Sequence, residues 1–252
     1  MLIKIPSEKV RHYHRYFDEY TYARRFIDLM KTYPKGTVWL DREEDPTILY
    51  FQMPWINALA GNPKSPYVIS LLDLLVKDLV FYPNTQWKKA LRDKWGDKLV
   101  EFTHKTFRSD SLDLEHIQQY IADLPKGFTL ERVDLDAAKY IEDNLHAFSR
   151  TWETVENYVK NGLGYCIKYG DIVASHAGSF FPFTDHLEIQ VDTHPEYRGR
   201  GFATIVCAKL MEHCIENGVV PMWEAHTDIS SKLAEKLGFT DPQTYDLFFK
   251  IE

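Results

Sequence analysis

At 252 residues, 44% hydrophobic and 27% charged, the chain has the composition of a globular protein long enough to bury a substantial core, which excludes a disordered or fibrous one. Its net charge of −7 argues against a sequence-independent hold on nucleic acid, which depends on lysine and arginine, and is compatible with a cationic or amine ligand. No run reaches the ~18 consecutive apolar residues of a membrane span and Met1–Pro6 lacks the apolar core of a signal peptide, so the expectation is a cytoplasmic protein that does not engage membranes.

A basic, aromatic helix is predicted over Ser7–Thr32, closed by Pro34-Lys35-Gly36. Strands are expected at Val38–Leu40 and Ile48–Gln52, flanking the acidic turn Asp41–Pro46. Pro54, Gly61, Asn62, Pro63 and Pro66 then read as one long loop, and Ile69–Leu79 as a buried helix. Trp55 in that loop is either core or pocket lining. A strand at Leu79–Tyr82, a helix and a strand at Val100–Phe107 follow. The segment Thr85–Gly96 lies over Thr227–Gly238 without gaps, sharing Thr, Leu, Lys and Gly. The N-terminal part is therefore either a degenerate internal repeat or an unrelated α/β cap.

Leu112–Leu124 reads as a helix begun by Asp110 or Ser111 and ended by Pro125-Lys126-Gly127, where the domain boundary is placed: an N-terminal α/β domain over 1–125 and a second domain over 126–252. In the second, a strand at Phe128–Val133 precedes helices at Asp136–Asn144 and Trp152–Asn161. Gly164–Lys168 and Ile172–Ser179 are strands joined by Gly170-Asp171, a two-residue hairpin signal, and Leu187–Val191 completes an antiparallel meander.

After that strand, Arg198-Gly199-Arg200-Gly201-Phe202-Ala203 opens a long amphipathic helix. A helix N-terminus carries about half a positive charge and four unpaired amides, so a glycine-containing loop ahead of it holds a phosphate against backbone N–H groups. Glycines at 199 and 201 allow close approach, and two arginines add full charges. A pyrophosphate is the simplest ligand. No Gly-Lys-Ser/Thr follows, which removes a P-loop, and Thr204 stands where a dinucleotide fingerprint needs Gly or Ala. On the helix, Lys209, Glu212, His213 and Glu216 share one face, with Val206, Leu210 and Cys214 on the other. Cys207 and Cys214 are ~10 Å apart along its axis, too far for a disulfide. Neither these nor Cys166 pairs into a metal site, and no His, Asp or Glu set has metal-ligand spacing. Asn217-Gly218 caps the helix. Val219–Ala225 is the next strand, Asp228 the expected N-cap of a helix over Ile229–Lys236, and Leu237-Gly238-Phe239 its end.

Arg-x-x-Gly-x-Ala between a strand and a long helix, followed by a strand, a helix and Leu-Gly-Phe, resembles the pyrophosphate signature of the GNAT superfamily of acetyl-CoA-dependent N-acetyltransferases. Gly164-Tyr165-Cys166, Ile172–Ser175, Glu188-Ile189, Thr193, Tyr197–Ala203 and Trp223–His226 are similar to the group of the zwittermicin A resistance acetyltransferase. The resemblance covers about residues 128–239.

It implies a mostly antiparallel mixed sheet flanked by helices. Acetyl-CoA, as co-substrate, is held by Val191, Thr193, Arg198, Gly199, Arg200, Gly201, Phe202 and Ala203, with its pantetheine arm between two splayed strands near Val191. The implied activity is direct acetyl transfer to the amine of a small molecule. Glu188, which shares a strand face with Gln190 and Asp192, is the implied base; His176 and His186 are second choices, and His194 reads as structural. Phe148–Tyr158 and Phe180–Asp185 are implied to line the acceptor pocket. The sequence departs from the family at Ala234, where many members carry an acidic tyrosine. Either another group, a water or solvent protonates the thiolate, or the protein is a catalytically silent acetyl-CoA-binding module acting through protein contacts. Thr227 stands where many relatives have asparagine. A homodimer is one option for its assembly.

Overall fold

The structure is a computed structural model that describes residues 1–251 except 19, 21–35, 54, 150, 183 and 184. Two compact units emerge, Met1–Thr103 with Tyr245–Glu252, and His104–Thr244.

In the first unit, strand β1 (Ile3–Pro6) leads into a 3-10 helix over Ser7–Phe17, which replaces the start of the expected α-helix; the rest of that helix lies outside the described residues. Strands β2 (Thr37–Leu40), β3 (Ile48–Met53) and β4 (Ile56–Gly61) form an antiparallel meander on β1. β4 occupies what the sequence suggested was loop. Its residues Ile56–Ala60 are all buried, so it has no polar alternation to announce it. The expected helix over Ile69–Leu79 is also corrected. Helix α1 spans Val68–Leu72 only, and β5 (Asp78–Phe81) pairs in parallel with β4. Asn57 explains the switch. Fully buried, it donates from Nδ2 to the carbonyls of Val76 (3.1 Å) and Leu79 (3.0 Å) and accepts from Val76 N (3.0 Å), holding that stretch extended. Helix α2 (Thr85–Trp95) is capped by Asn84, and β6 runs from Leu99 to Arg108. The C-terminal strand, unforeseen in the sequence, reaches this unit with Phe248 opposite Val80. Trp55 is buried.

The second unit starts with α3 (Leu114–Ala122), capped by Asp113 rather than by Asp110 or Ser111. β7 (Thr129–Arg132), α4 (Leu135–Leu145) and α5 (Val155–Asn161) follow, with Asp134 and Thr154 as N-caps. β8 (Gly164–Tyr169), β9 (Ile172–Ser179) and β10 (His186–Thr193) form the expected antiparallel meander, with β7 beside β8. Helix α6 (Phe202–Glu216) then leads to β11 (Val220–Met222), parallel to β10. The single strand expected over Val219–Ala225 is broken at Trp223. Its second piece, β12 (Glu224–Ala225), pairs with Thr106 and Lys105 of β6 instead. Helix α7 (Asp228–Leu237) is capped by Thr227, whose Oγ1 accepts from Ser230 N at 3.1 Å, so Asp228 is its first residue and not the cap. β13 (Thr240–Lys250) closes the order.

Helix α6 is enclosed on two sides. Phe202, Ile205, Val206 and Leu210 enter a core with Ile167, Ala177 and Leu187, and Ile117 of α3 belongs to the same core. Gln118 Nε2 donates to Glu212 Oε1 at 3.0 Å, so Glu212 is 9% exposed where the sequence pattern placed it on a solvated face. This packing groups residues 104–125 with the second unit, whereas the sequence reading had set them in the first. Cys166, Cys207 and Cys214 are buried, and burial raises each thiol's pKa. Among the described residues no helix is long and apolar enough to cross a membrane.

Candidate functional site

The chain between β10 and α6 makes a 3-10 turn over Pro195–Tyr197, for which His194 is the N-cap through its Nδ1, and then places Gly199 at φ 75° and Gly201 at φ 80°. Those left-handed conformations are the reason for glycine here. A Cβ built at either position meets no atom within 4 Å, so open space lies over the amides. Gly201 is the N-cap of α6 and supplies no side-chain cap, which leaves the first-turn N–H groups from Phe202 onward without an intrahelical acceptor. Phe202 anchors this turn, its ring 4.7 Å from Phe128.

Two arginines border the turn. Arg198 Nε donates to the Thr193 carbonyl at 3.2 Å, while the Arg200 guanidinium lies 5.2 Å over the Tyr197 ring. Both are exposed, as are Gly199 and Gly201, whereas Ala203 is half-buried inside the first turn. Uncapped amides, open space and two cations together fit an anionic phosphate.

Beside this turn the sheet opens. β10 and β11 pair only from His186↔Val220 to Glu188↔Met222, after which β12 joins β6. A wedge therefore starts at Glu188, with Ile189–Thr193 along one bank and Trp223 onward along the other. Leu187, Ile189 and Val191 pack toward α6, which turns Glu188, Gln190 and Asp192 to the opposite face. Gln190 Nε2 donates to Asp192 Oδ2 at 3.1 Å. Thr193 Oγ1 lies 2.8 Å from Ser175 Oγ, fixing the end of the strand. Glu188 is half-buried at the mouth of the wedge.

The other candidates separate cleanly. His176, opposite Asp192 in the β9–β10 register, is fully buried, and burial pushes its imidazole down to about 4; it is a neutral core residue. His186 is exposed and sits 3.1 Å from Asp185. Trp152 donates from Nε1 to the Ser179 carbonyl (3.2 Å) and Tyr158 from its hydroxyl to the Leu163 carbonyl (3.2 Å), so both are buried structural anchors. Ala234 is completely buried. Among the described residues no cluster of His, Cys, Asp and Glu is placed to hold a metal ion.

A sequence model of the GNAT acetyltransferase family matches residues 15–248. An uncharacterized N-acetyltransferase of Bacillus subtilis (strain 168), YdfB, is 28% identical over 173 residues, covering 68% of this chain and 65% of the relative's own length. The crystal structure of a GCN5-related N-acetyltransferase-like protein from Streptococcus suis 89/1591 superposes with a TM-score of 0.82 at 27% identity, over 97% of this chain and 99% of that one. A tandem GNAT protein from the clavulanic acid biosynthesis pathway shares the fold at 12% identity, with a TM-score of 0.60 over 99% and 97% of the two chains. With a family match over nearly the whole chain and a glycine turn, bare helix start and opened sheet in the matching order, the protein belongs to the GNAT acetyltransferase family.

Proposed function

We propose that the protein is an N-acetyltransferase that moves the acetyl group of acetyl-CoA directly to the amine of a small molecule. The observation that carries this reading is the bare N-terminus of α6 beside the wedge. The pyrophosphate lies against amides 199–203 with Arg198 and Arg200 beside it, and the pantetheine arm follows Val191 and Thr193. The thioester supplies an activated acetyl group at the wedge. Glu188 takes the proton of the attacking amine, directly or through a water, a role typically worth 10²–10⁴-fold. The amine is proposed as an antibiotic-like or amino-acid-like molecule, and the acidic balance of the chain is compatible with a cationic acceptor. A cytoplasmic location goes with the same reading.

Ala234 favours a second reading, a silent acetyl-CoA-binding module, because its methyl group has no proton to give. A thermal-shift comparison of acetyl-CoA, NAD and ATP tests the cofactor, with stabilisation expected for acetyl-CoA alone. A screen of an amine library for release of the CoA thiol tests the activity. Acetyl-CoA binding without turnover of any amine would establish the silent module instead.

A further inference from the structure

The wedge has a second bank, facing Glu188 across the opening. Along it Trp223 and Ala225 turn into the core beside α6, so alternation sends Glu224 and His226 to the face that carries Glu188, Gln190 and Asp192. The β6–β12 ladder sets Thr106 opposite Glu224 and Lys105 opposite Ala225, and its continuation brings His104 against His226. Their rings lie 5.2 Å apart in an edge-to-face arrangement. His226 is exposed, and its backbone is fixed by that ladder on one side and by the Thr227 cap of α7 on the other. Burial, aided by the charge of His226, pushes the His104 imidazole down to about 4, so His104 stays neutral when His226 carries a proton. Glu224 stands two residues before His226, Glu188 lies on the other bank, and Asp228 in the first turn of α7 is 3.7 Å from Lys105 Nζ.

We propose that His226 is the proton donor to the departing thiolate of CoA, with His104 as the positioning residue that holds its ring. The assignment rests on the acetyltransferase reading of the same site. The acceptor nitrogen bonds to the acetyl carbonyl carbon and yields a proton to Glu188. The carbon–sulfur bond breaks, and the His226 imidazolium passes its N–H proton to the sulfur. The products are the amide and the CoA thiol, with Glu188 protonated and His226 neutral; one proton exchanged through solvent restores both. Base and acid stand on opposite banks, which keeps the proton removed from nitrogen apart from the one delivered to sulfur. His226 thereby takes the role that Ala234 cannot fill.

Calorimetry with CoA and desulfo-CoA on the intact protein tests the contact without an acceptor. The parent should prefer CoA by about tenfold, the scale of a hydrogen bond to a charged group, and His226→Gln should lose that preference while binding desulfo-CoA unchanged. With an amine identified by the thiol-release screen, His226→Gln should lower kcat by about 10²-fold near neutral pH and remove the fall in rate at higher pH. His104→Gln should shift that falling limb without removing it. An equal CoA to desulfo-CoA ratio in parent and His226→Gln overturns the assignment. A His226-dependent preference without turnover of any amine upholds the contact and defeats the acetyltransferase reading, whereas no binding of either nucleotide defeats both.

Discussion

The two units run through the same order of elements, a strand, a helical segment, three antiparallel strands, a helix, a parallel strand and a further helix, yet they end their third meander strand differently. After β10 the chain makes a turn with two left-handed glycines and starts a 15-residue helix without a side-chain cap. After β4 it runs through Asn62-Pro63-Lys64-Ser65-Pro66 into a five-residue helix, and both prolines lack an N–H to offer. The split beyond the β4–β5 pairing is also taken up internally, since the Tyr20 hydroxyl donates to the Leu59 carbonyl. The bare, open helix start therefore stands after β10, where the anion site is proposed, whereas after β4 the amides of Tyr67 and Val68 donate to Ser65.

The largest break in this contrast is expected from Gly201→Asp, which forces a side chain into a left-handed position and sets a carboxylate where the pyrophosphate should lie. Acetyl-CoA binding by calorimetry should vanish, while Lys64→Asp in the first unit should leave affinity as it was. Next comes Glu188→Gln, which keeps shape and removes the base. It should cut kcat/KM by ~10²-fold or more at neutral pH, with partial recovery at alkaline pH, and no change in acetyl-CoA affinity. Parent-like turnover would exclude Glu188. Acid stability should follow His176. Its pKa is lowered in the fold from an ordinary 6.5 to about 4, so the stability it contributes is complete above 6.5 and declines as pH falls toward 4. Urea unfolding at successive pH values should show His176→Gln with a shallower acid decline than the parent. Arg198→Ala and Arg200→Ala should each weaken acetyl-CoA by ~1–3 kcal/mol. Smallest is Tyr20→Phe, about 1 kcal/mol of stability with no effect on cofactor affinity; a loss of affinity would show that the first unit's split is not independent of the site.

The glycine turn and its helix were legible because glycines, arginines and a 3.6-residue apolar stripe stand in one short stretch, as were the β8–β9 hairpin at Gly170-Asp171 and the α6 C-terminus at Asn217-Gly218. Segments whose structure is set at a distance were not. The apolar run Ile69–Leu79 carries no sign that Asn57 will hold its second half extended. β12 exists because of β6, which lies more than a hundred residues earlier in the chain, and so the meeting of His104 with His226 has no local signature. The buried face of Glu212 depends on α3 in the same way. Whether a fragment starting near Pro125 folds bears on this point, since it lacks Ile117 and Gln118. Its solubility and full acetyl-CoA affinity would uphold a boundary there, whereas aggregation would set α3 inside the second unit.

The first unit counts Tyr245–Glu252 among its residues, and Phe248 stands beside Val80 in its sheet. On a ribosome adding 5–20 residues per second, that strand is made roughly ten to thirty seconds after β5. The N-terminal sheet must wait for that strand with one edge unpaired, while every strand of the β7–β11 sheet is already synthesised. An edge in that state is open to pairing with other chains. The order of synthesis thus completes the β7–β11 sheet first and makes the N-terminal sheet the one that calls for protection while the protein is being born.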